Sequence, residues 1–152
     1  RALAFLRELG LASATVSFEL RHQQVRDLAK LLPCEGIVYG RLPLMLMENC
    51  VMKNRTGTCS CQTTQTKLID RMGEEFPIVK DPGTCRNVLL NGKKLYLLDK
   101  KESFRGMGLW ALRLQFTTEN AGEVDRVLSE YRSGARFEPG SCTRGLYNRG
   151  VE

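Results

Sequence analysis

Four cysteines, Cys50, Cys59, Cys61 and Cys85, follow the spacing Cys-x8-Cys-x-Cys-x23-Cys within the 152 residues of the chain. Thiolates are soft ligands that suit iron-sulfur clusters or zinc, and this stretch offers no histidine to compete. A four-thiolate metal site is the natural product of the spacing. Zinc is the chief rival to iron, because a closed set of four thiolates is a usual structural arrangement for it. The two Cys-x2-Cys knuckles of a zinc ribbon are absent, however. The bland alternative is four unrelated buried thiols, since free cysteine is among the most buried residue types. Cys34, beside a helix end, and Cys142, in a Gly-Ser loop, read as bystanders. Met45, Met47 and Met52 surround the first cysteine and read as apolar filling, a dry shell of the kind that also tunes a cluster's potential.

Other polar candidates are fewer. His22 is the only histidine and begins a helix, and no Gly-x-Ser-x-Gly elbow is present, so a self-contained Ser-His-Asp or Cys-His protease finds no support. Glu19 falls at the end of an expected strand, and Tyr39 and Arg41 fall near the end of the next. Strand C-terminal ends are where barrel enzymes place chemistry. Glu19 reads equally well as a helix start, and Arg41 as half of a structural ion pair. Asp70-Arg71 precedes Gly73 and reads as a turn.

The elements that must position these residues alternate between helix and strand. Leu3, Leu6 and Leu9 with Phe5 give a helical face that stops at Gly10, and Ala14 to Phe18 reads as a buried strand. From Arg21 to Leu32, Val25, Leu28, Ala29 and Leu32 fall at i, i+3, i+4, i+7, the period of an amphipathic helix. Pro33 ends it, and Gly36 to Gly40 is the next strand. The last third repeats this grammar: a helix end at Phe104 to Gly108, a strand from Leu109 to Phe116, and a helix opened by Asn120 and Glu123 as a capping box. Such an order predicts parallel strands with helices outside. Between the two parts, Lys67 to Leu98 holds short runs broken by Met72-Gly73, Asp81-Pro-Gly83 and Asn91-Gly92, which read as antiparallel hairpins. Three parallel strands are too few to close a barrel, and Arg1 stands where an initiator Met would be, so the chain reads as a fragment of a larger α/β domain.

Composition narrows the setting. With 42% hydrophobic and 26% charged residues the chain can bury one core. The longest apolar run, Leu42 to Met47, is far too short to span a bilayer and no signal segment precedes it, so the expectation is no membrane and a cytoplasmic location. There the glutathione pool opposes structural disulfides, which turns the six cysteines toward metal binding, catalysis or plain burial. The net charge of +6 favours a polyanionic partner. A solvated surface in part of a larger protein accounts for it equally well, and no aromatic-interleaved RNA-binding motif is visible.

In order along the chain stand Val38-Tyr-Gly-Arg-Leu-Pro-Leu-Met45, Glu48-Asn-Cys50, the Cys59/Cys61 pair, Leu68-Ile-Asp-Arg71, Phe76-Pro-Ile-Val79, Cys85 and Leu90-Asn91. This ordered set resembles the second half of peptidase family U-32, the collagenase-like peptidases. Ser17-Phe-Glu-Leu20 resembles the family's Ser-Pro-Glu-Leu strand end, with Phe18 in place of proline. Thr143-Arg-Gly145 and Arg149-Gly-Val-Glu152 resemble its closing segment, with Leu146 where a histidine often stands.

The resemblance implies an α/β fold made of the last strands and helices of a (β/α)8 TIM-type barrel, with a small β-rich, cysteine-containing insertion. Residues 1–48 would be barrel strand-helix units, 49–98 the insertion, 99–134 the final helix-strand-helix and 135–152 a C-terminal segment. It implies a 4Fe-4S cluster on Cys50, Cys59, Cys61 and Cys85, with zinc as the alternative. The implied activity is oxygen-independent hydroxylation of RNA bases or a small aromatic substrate, in an enzyme whose fragment alone is inactive. Glu19 would be catalytic, and Tyr39 and Arg41 would bind substrate. The partners implied are the missing N-terminal half of the barrel and rRNA or tRNA. A collagenase-like peptidase is the alternative activity, and a zinc-stabilised binding module the non-enzymatic one.

Overall fold

A computed structural model describes residues 2–58, 66–81, 83–134 and 140–145. In chain order the elements are α1 (Ala2–Glu8), β1 (Ala14–Thr15), α2 (His22–Ala29), β2 (Cys34–Gly40), β3 (Pro43–Met47), α3 (Val51–Thr56) and β4 (Thr66–Ile69). There follow β5 (Glu75–Lys80), β6 (Asn87–Leu90), β7 (Lys94–Tyr96), a 3-10 turn at Leu98–Lys100, α4 (Lys101–Gly106), β8 (Ala111–Gln115), α5 (Ala121–Ser133) and β9 (Cys142–Thr143). The fold is mixed α/β, and the chain divides into two compact units: Arg1–Gly40 with Leu95–Glu152, and Arg41–Lys94.

In the first unit β2 is the central strand. It pairs in parallel with β1 and with β8, and in antiparallel with β7, beyond which lies β9. Parallel neighbours need a crossover, and α2 supplies it between β1 and β2. Cys34, Gly36, Val38 and Gly40 are buried, Cys34 and Val38 completely. Leu95, Phe104, Met107, Val25 and Val127 complete this core. Each fully buried aliphatic chain such as Val38 or Leu95 stabilises by about 1.5–3 kcal/mol. Burial also raises the pKa of the Cys34 thiol, as expected of a packing residue rather than a reactive one.

Several expectations are met. The glycine-ended helices α1 and α4 precede β1 and β8, and Gly10 and Gly108 take positive φ of 88° and 79°. At the start of α5 both arms of the capping box are made, each at 3.0 Å, between Asn120 and Glu123. Other elements differ. The strand expected at Ala14 to Phe18 ends at Thr15, because the Ser17 hydroxyl accepts the Glu19 N–H at 3.2 Å and turns the chain. The helix expected to reach Leu32 stops at Ala29, since Pro33 disfavours helix before it and its carbonyl accepts the Ala14 N–H at 3.0 Å.

The turn at Asn91-Gly92 corrects a third expectation, for it is not a hairpin. β6 pairs with β3 and β5, whereas β7 pairs with β2 and β9. Burial decides the partner: Leu95 and Tyr96 are 2% and 3% exposed against the first unit's core. The antiparallel unit accordingly runs Arg41–Lys94 rather than 49–98, and it takes in β3, whose residues pair with β6. Three parallel strands stand in the order β1-β2-β8, and no closed barrel is formed among the described residues.

Across those parallel strands runs a polar row. The Thr15 hydroxyl donates to Glu35 Oε1, and Arg113 donates to the same oxygen through Nε at 2.8 Å and through Nη2. The Thr15 hydroxyl and then the Arg113 guanidinium hold the Glu35 carboxyl below its usual range. A depressed carboxylate contributes stability that is present above its unfolded value of about 4.3 and is lost as pH falls through the folded value. Glu35→Gln should therefore be less stable than the parent near neutrality, and the gap should close on acidification below about pH 4. Urea midpoints measured across that range check this, and a pH-independent gap would exclude the ionised row as its source.

Candidate functional site

The antiparallel unit is a sheet of order β3-β6-β5-β4. Met47, the last residue of β3, lies opposite Asn87, the first of β6. The chain leaves β3 through Glu48 and Asn49 to Cys50, and it enters β6 through Cys85 and Arg86. Antiparallel register thus delivers Cys50 and Cys85 to the same end of the sheet. An ion pair from Arg86 Nε to Glu48 Oε2, 2.9 Å long, ties the two approaches together.

Each cysteine sits in a locally determined frame. Cys50 is the N-cap of α3, its Sγ accepting the Lys53 N–H at 3.5 Å. The Val51 N–H donates to Asn87 Oδ1 at 2.8 Å, and the Asn87 amide is 2% exposed. Cys85 is exposed in the turn between β5 and β6. There the Thr84 hydroxyl donates to Asp81 Oδ2 at 2.9 Å and accepts the Arg86 N–H at 3.1 Å. Met52, 7% exposed, packs beneath α3, where the Thr66 hydroxyl reaches its sulfur. Thr66 opens β4 opposite Ile78, close to the same end of the sheet. Cys59 and Cys61 lie outside the described residues, between Thr58 and Thr66. Among the described residues no three His, Cys, Asp or Glu side chains gather as a metal site. Two of the four expected ligands are described, and they are thiols brought to one end. Their donor chemistry fits an iron-sulfur cluster or zinc.

The remaining expected residues are distributed differently. Glu19 is exposed in the turn after β1. Tyr39, 5% exposed, donates its hydroxyl to Glu119 Oε1 at 3.3 Å and packs edge-on against Tyr96, with ring centroids 6.5 Å apart. Arg41 donates through Nη1 to the Asn91 carbonyl at 2.8 Å and to the Gly92 carbonyl, which holds the turn after β6. Glu19 and Tyr39 belong to the parallel unit and Arg41 to the antiparallel one.

Two residues were not singled out by sequence reasoning. Glu119 accepts from Tyr39 and from the N–H groups of Thr117 and Thr118 at 2.7 and 3.1 Å, so it organises the loop after β8. Asn87 links β6 to the first residue after Cys50. Its only sequence signal is a polar residue opening an apolar run, Asn87-Val-Leu-Leu90. Asn87→Leu should cost about 2–3 kcal/mol, because it strands the Val51 N–H beside an apolar group. It should also speed alkylation of Cys50 by iodoacetamide. Asn87→Asp keeps the acceptor and should lose less of both. Equal behaviour of the two variants would argue against the hydrogen bond as the cause.

Comparison of the chain with protein-family models, with curated proteins and with solved structures gives no match.

Proposed function

We propose that the chain is the C-terminal part of a U-32-type protein. On this reading its antiparallel unit holds a four-thiolate iron-sulfur site, and its parallel strands are the last of a (β/α)8 barrel. The whole enzyme would carry out an oxygen-independent hydroxylation-type modification of an RNA base or a small aromatic substrate. The observation that carries the reading is the register of β3 against β6, which brings Cys50 and Cys85 to one end of a sheet. The order β1-β2-β8, parallel and with helices in the connections, supports the barrel half of the proposal.

Cys50, Cys59, Cys61 and Cys85 would hold the cluster, which supplies one-electron chemistry when bound. Cys50 is oriented by its place at the head of α3, and Asn87 fixes the residue that follows it. Met52 keeps the underside of that helix apolar. Glu19 is the rim group proposed to meet substrate, at the C-terminal side of β1 where barrel chemistry collects. Tyr39 and Arg41 were expected to bind substrate. The partners they hold favour a supporting role for each within its own unit, Tyr39 through Glu119 and Arg41 through the turn carbonyls.

The test is anaerobic purification of the full-length protein with iron, sulfide and zinc analysis, joined to mass analysis of nucleosides from a deletion strain. About four irons and four sulfides per chain are expected, together with a missing modified nucleoside. Stoichiometric zinc without acid-labile sulfide would replace the cluster reading. An unchanged nucleoside profile with cleavage of gelatin would replace the hydroxylation reading by the peptidase one.

A further inference from the structure

We propose that the cysteine end of the antiparallel unit is the docking surface for a small acidic electron-carrier protein, held by Lys53, Arg55 and Lys80. The inference rests on the redox reading of that end. Lys53 and Arg55 are exposed on α3, the helix capped by Cys50, and Lys80 is exposed at the end of β5 opposite Asn87. None of the three has a carboxylate partner among the described residues. Of the two acidic side chains nearby, Glu48 is paired with Arg86 at 2.9 Å, and Asp81, which accepts from the neutral Thr84 hydroxyl at 2.9 Å, keeps its charge and is outnumbered by the three cations. Positive charge therefore stands on the same rim as the thiols.

The kind of charge points to the kind of partner. Lysine ammonium groups are strongly hydrated point charges on flexible stems, which attract a partner without imposing one geometry. Electron-transfer encounters bury little surface and draw on charge for their association rate. Single-stranded RNA suits this end less well. Neither Cys50 to Thr66 nor Lys80 to Asn87 contains an aromatic side chain on which a base could stack.

The test uses full-length protein of measured metal and sulfide content, titrated with a fluorescently labelled acidic flavodoxin and followed by anisotropy. Binding should weaken as salt rises. The Lys53→Glu/Lys80→Glu variant should bind at least about tenfold more weakly at low ionic strength. Arg71→Glu, at the turn between β4 and β5 on the opposite end of the sheet, should bind like the parent. Absence of salt-dependent binding, or equal losses in the two variants, overturns the proposal. So does a single-stranded oligonucleotide that binds through Lys53 and Lys80 where flavodoxin does not. A preparation without labile sulfide fails the cluster reading instead, while the docking surface is judged by the charge-reversed variant alone.

Discussion

On the proposed cluster reading, Cys50→Ala and Cys85→Ala should each lose most of the visible absorption and labile sulfide of the full-length chain purified without oxygen, while Cys34→Ala and Cys142→Ala keep both. The contrast follows from placement. Cys50 and Cys85 flank the paired ends of β3 and β6. Cys34 is fully buried in the parallel sheet, and Cys142 lies in β9 of the same unit. Losing one thiolate of a four-thiolate set leaves one iron without its protein ligand, so each ligand substitution should lower the iron and sulfide content well below that of the parent. Visible absorption and labile sulfide read it directly. Retention of full cluster content in both Cys50→Ala and Cys85→Ala would remove these residues from the ligand set. Loss in Cys34→Ala alone would move the site into the other unit.

The second large effect belongs to the backbone. Gly40 ends β2 at φ 124°, and a Cβ there would overlap the Gln115 carbonyl oxygen and stand 2.9 Å from its carbon. Backbone atoms of a paired strand cannot swing aside as a side-chain tip can. Gly40 pairs with Gln115 and with Leu95, so movement on either side breaks a ladder. Gly40→Ala should therefore cost about 3–5 kcal/mol, at the extreme of single substitutions. Gly10→Ala is the control. Its φ is 88°, but nothing stands within 4 Å of the added atom, so only the local penalty of about 1–2 kcal/mol applies. Denaturant unfolding of the two variants separates close approach from conformational strain. Equal losses would mean that β2 and β8 part more easily than their register implies.

What could be read from the residues alone divides along physical lines. The start of α5 was legible because its signal is contained in four consecutive residues, Asn120 to Glu123, and the cap forms as written. The parallel pairing of β1, β2 and β8 was legible because helices must fill the connections. β7 was misread because Asn91-Gly92 states only that the chain turns, and not which strand it will meet. The partner was set by burial of Leu95 and Tyr96 against a strand far earlier in the chain. β3 was missed for a related reason. Pro43 disfavours the interior of a sheet, and the strand is acceptable here because it lies at an edge, with a bulge between Pro43 and Met45. In the candidate site, the type and spacing of the cysteines were visible, but Asn87 was not. A buried amide becomes informative only once β6 is known to run beside the head of α3.

The division of the chain also predicts an order of events during folding. The antiparallel unit is made of neighbours: Lys67 and Glu75 are paired at a separation of 8 residues. The parallel sheet instead joins Glu35 to Arg113 across 78 residues, with the whole antiparallel unit inside that excursion. Closing a loop costs about 0.6 kcal/mol more for each doubling of its length, and long-range pairing is the slow step in sheet formation. Once β3 to β6 have condensed, Arg41 and Asn91 near the two ends of the unit are held together by the Leu42 carbonyl, which accepts the Asn91 N–H at 2.8 Å, and by Arg41 on the Asn91 carbonyl. The excursion then behaves as a much shorter loop. On this expectation the cysteine-bearing insertion condenses first and lets β2 find β8, and destabilising substitutions within it should slow refolding, followed by stopped-flow fluorescence, of a sheet to which it contributes almost no strand.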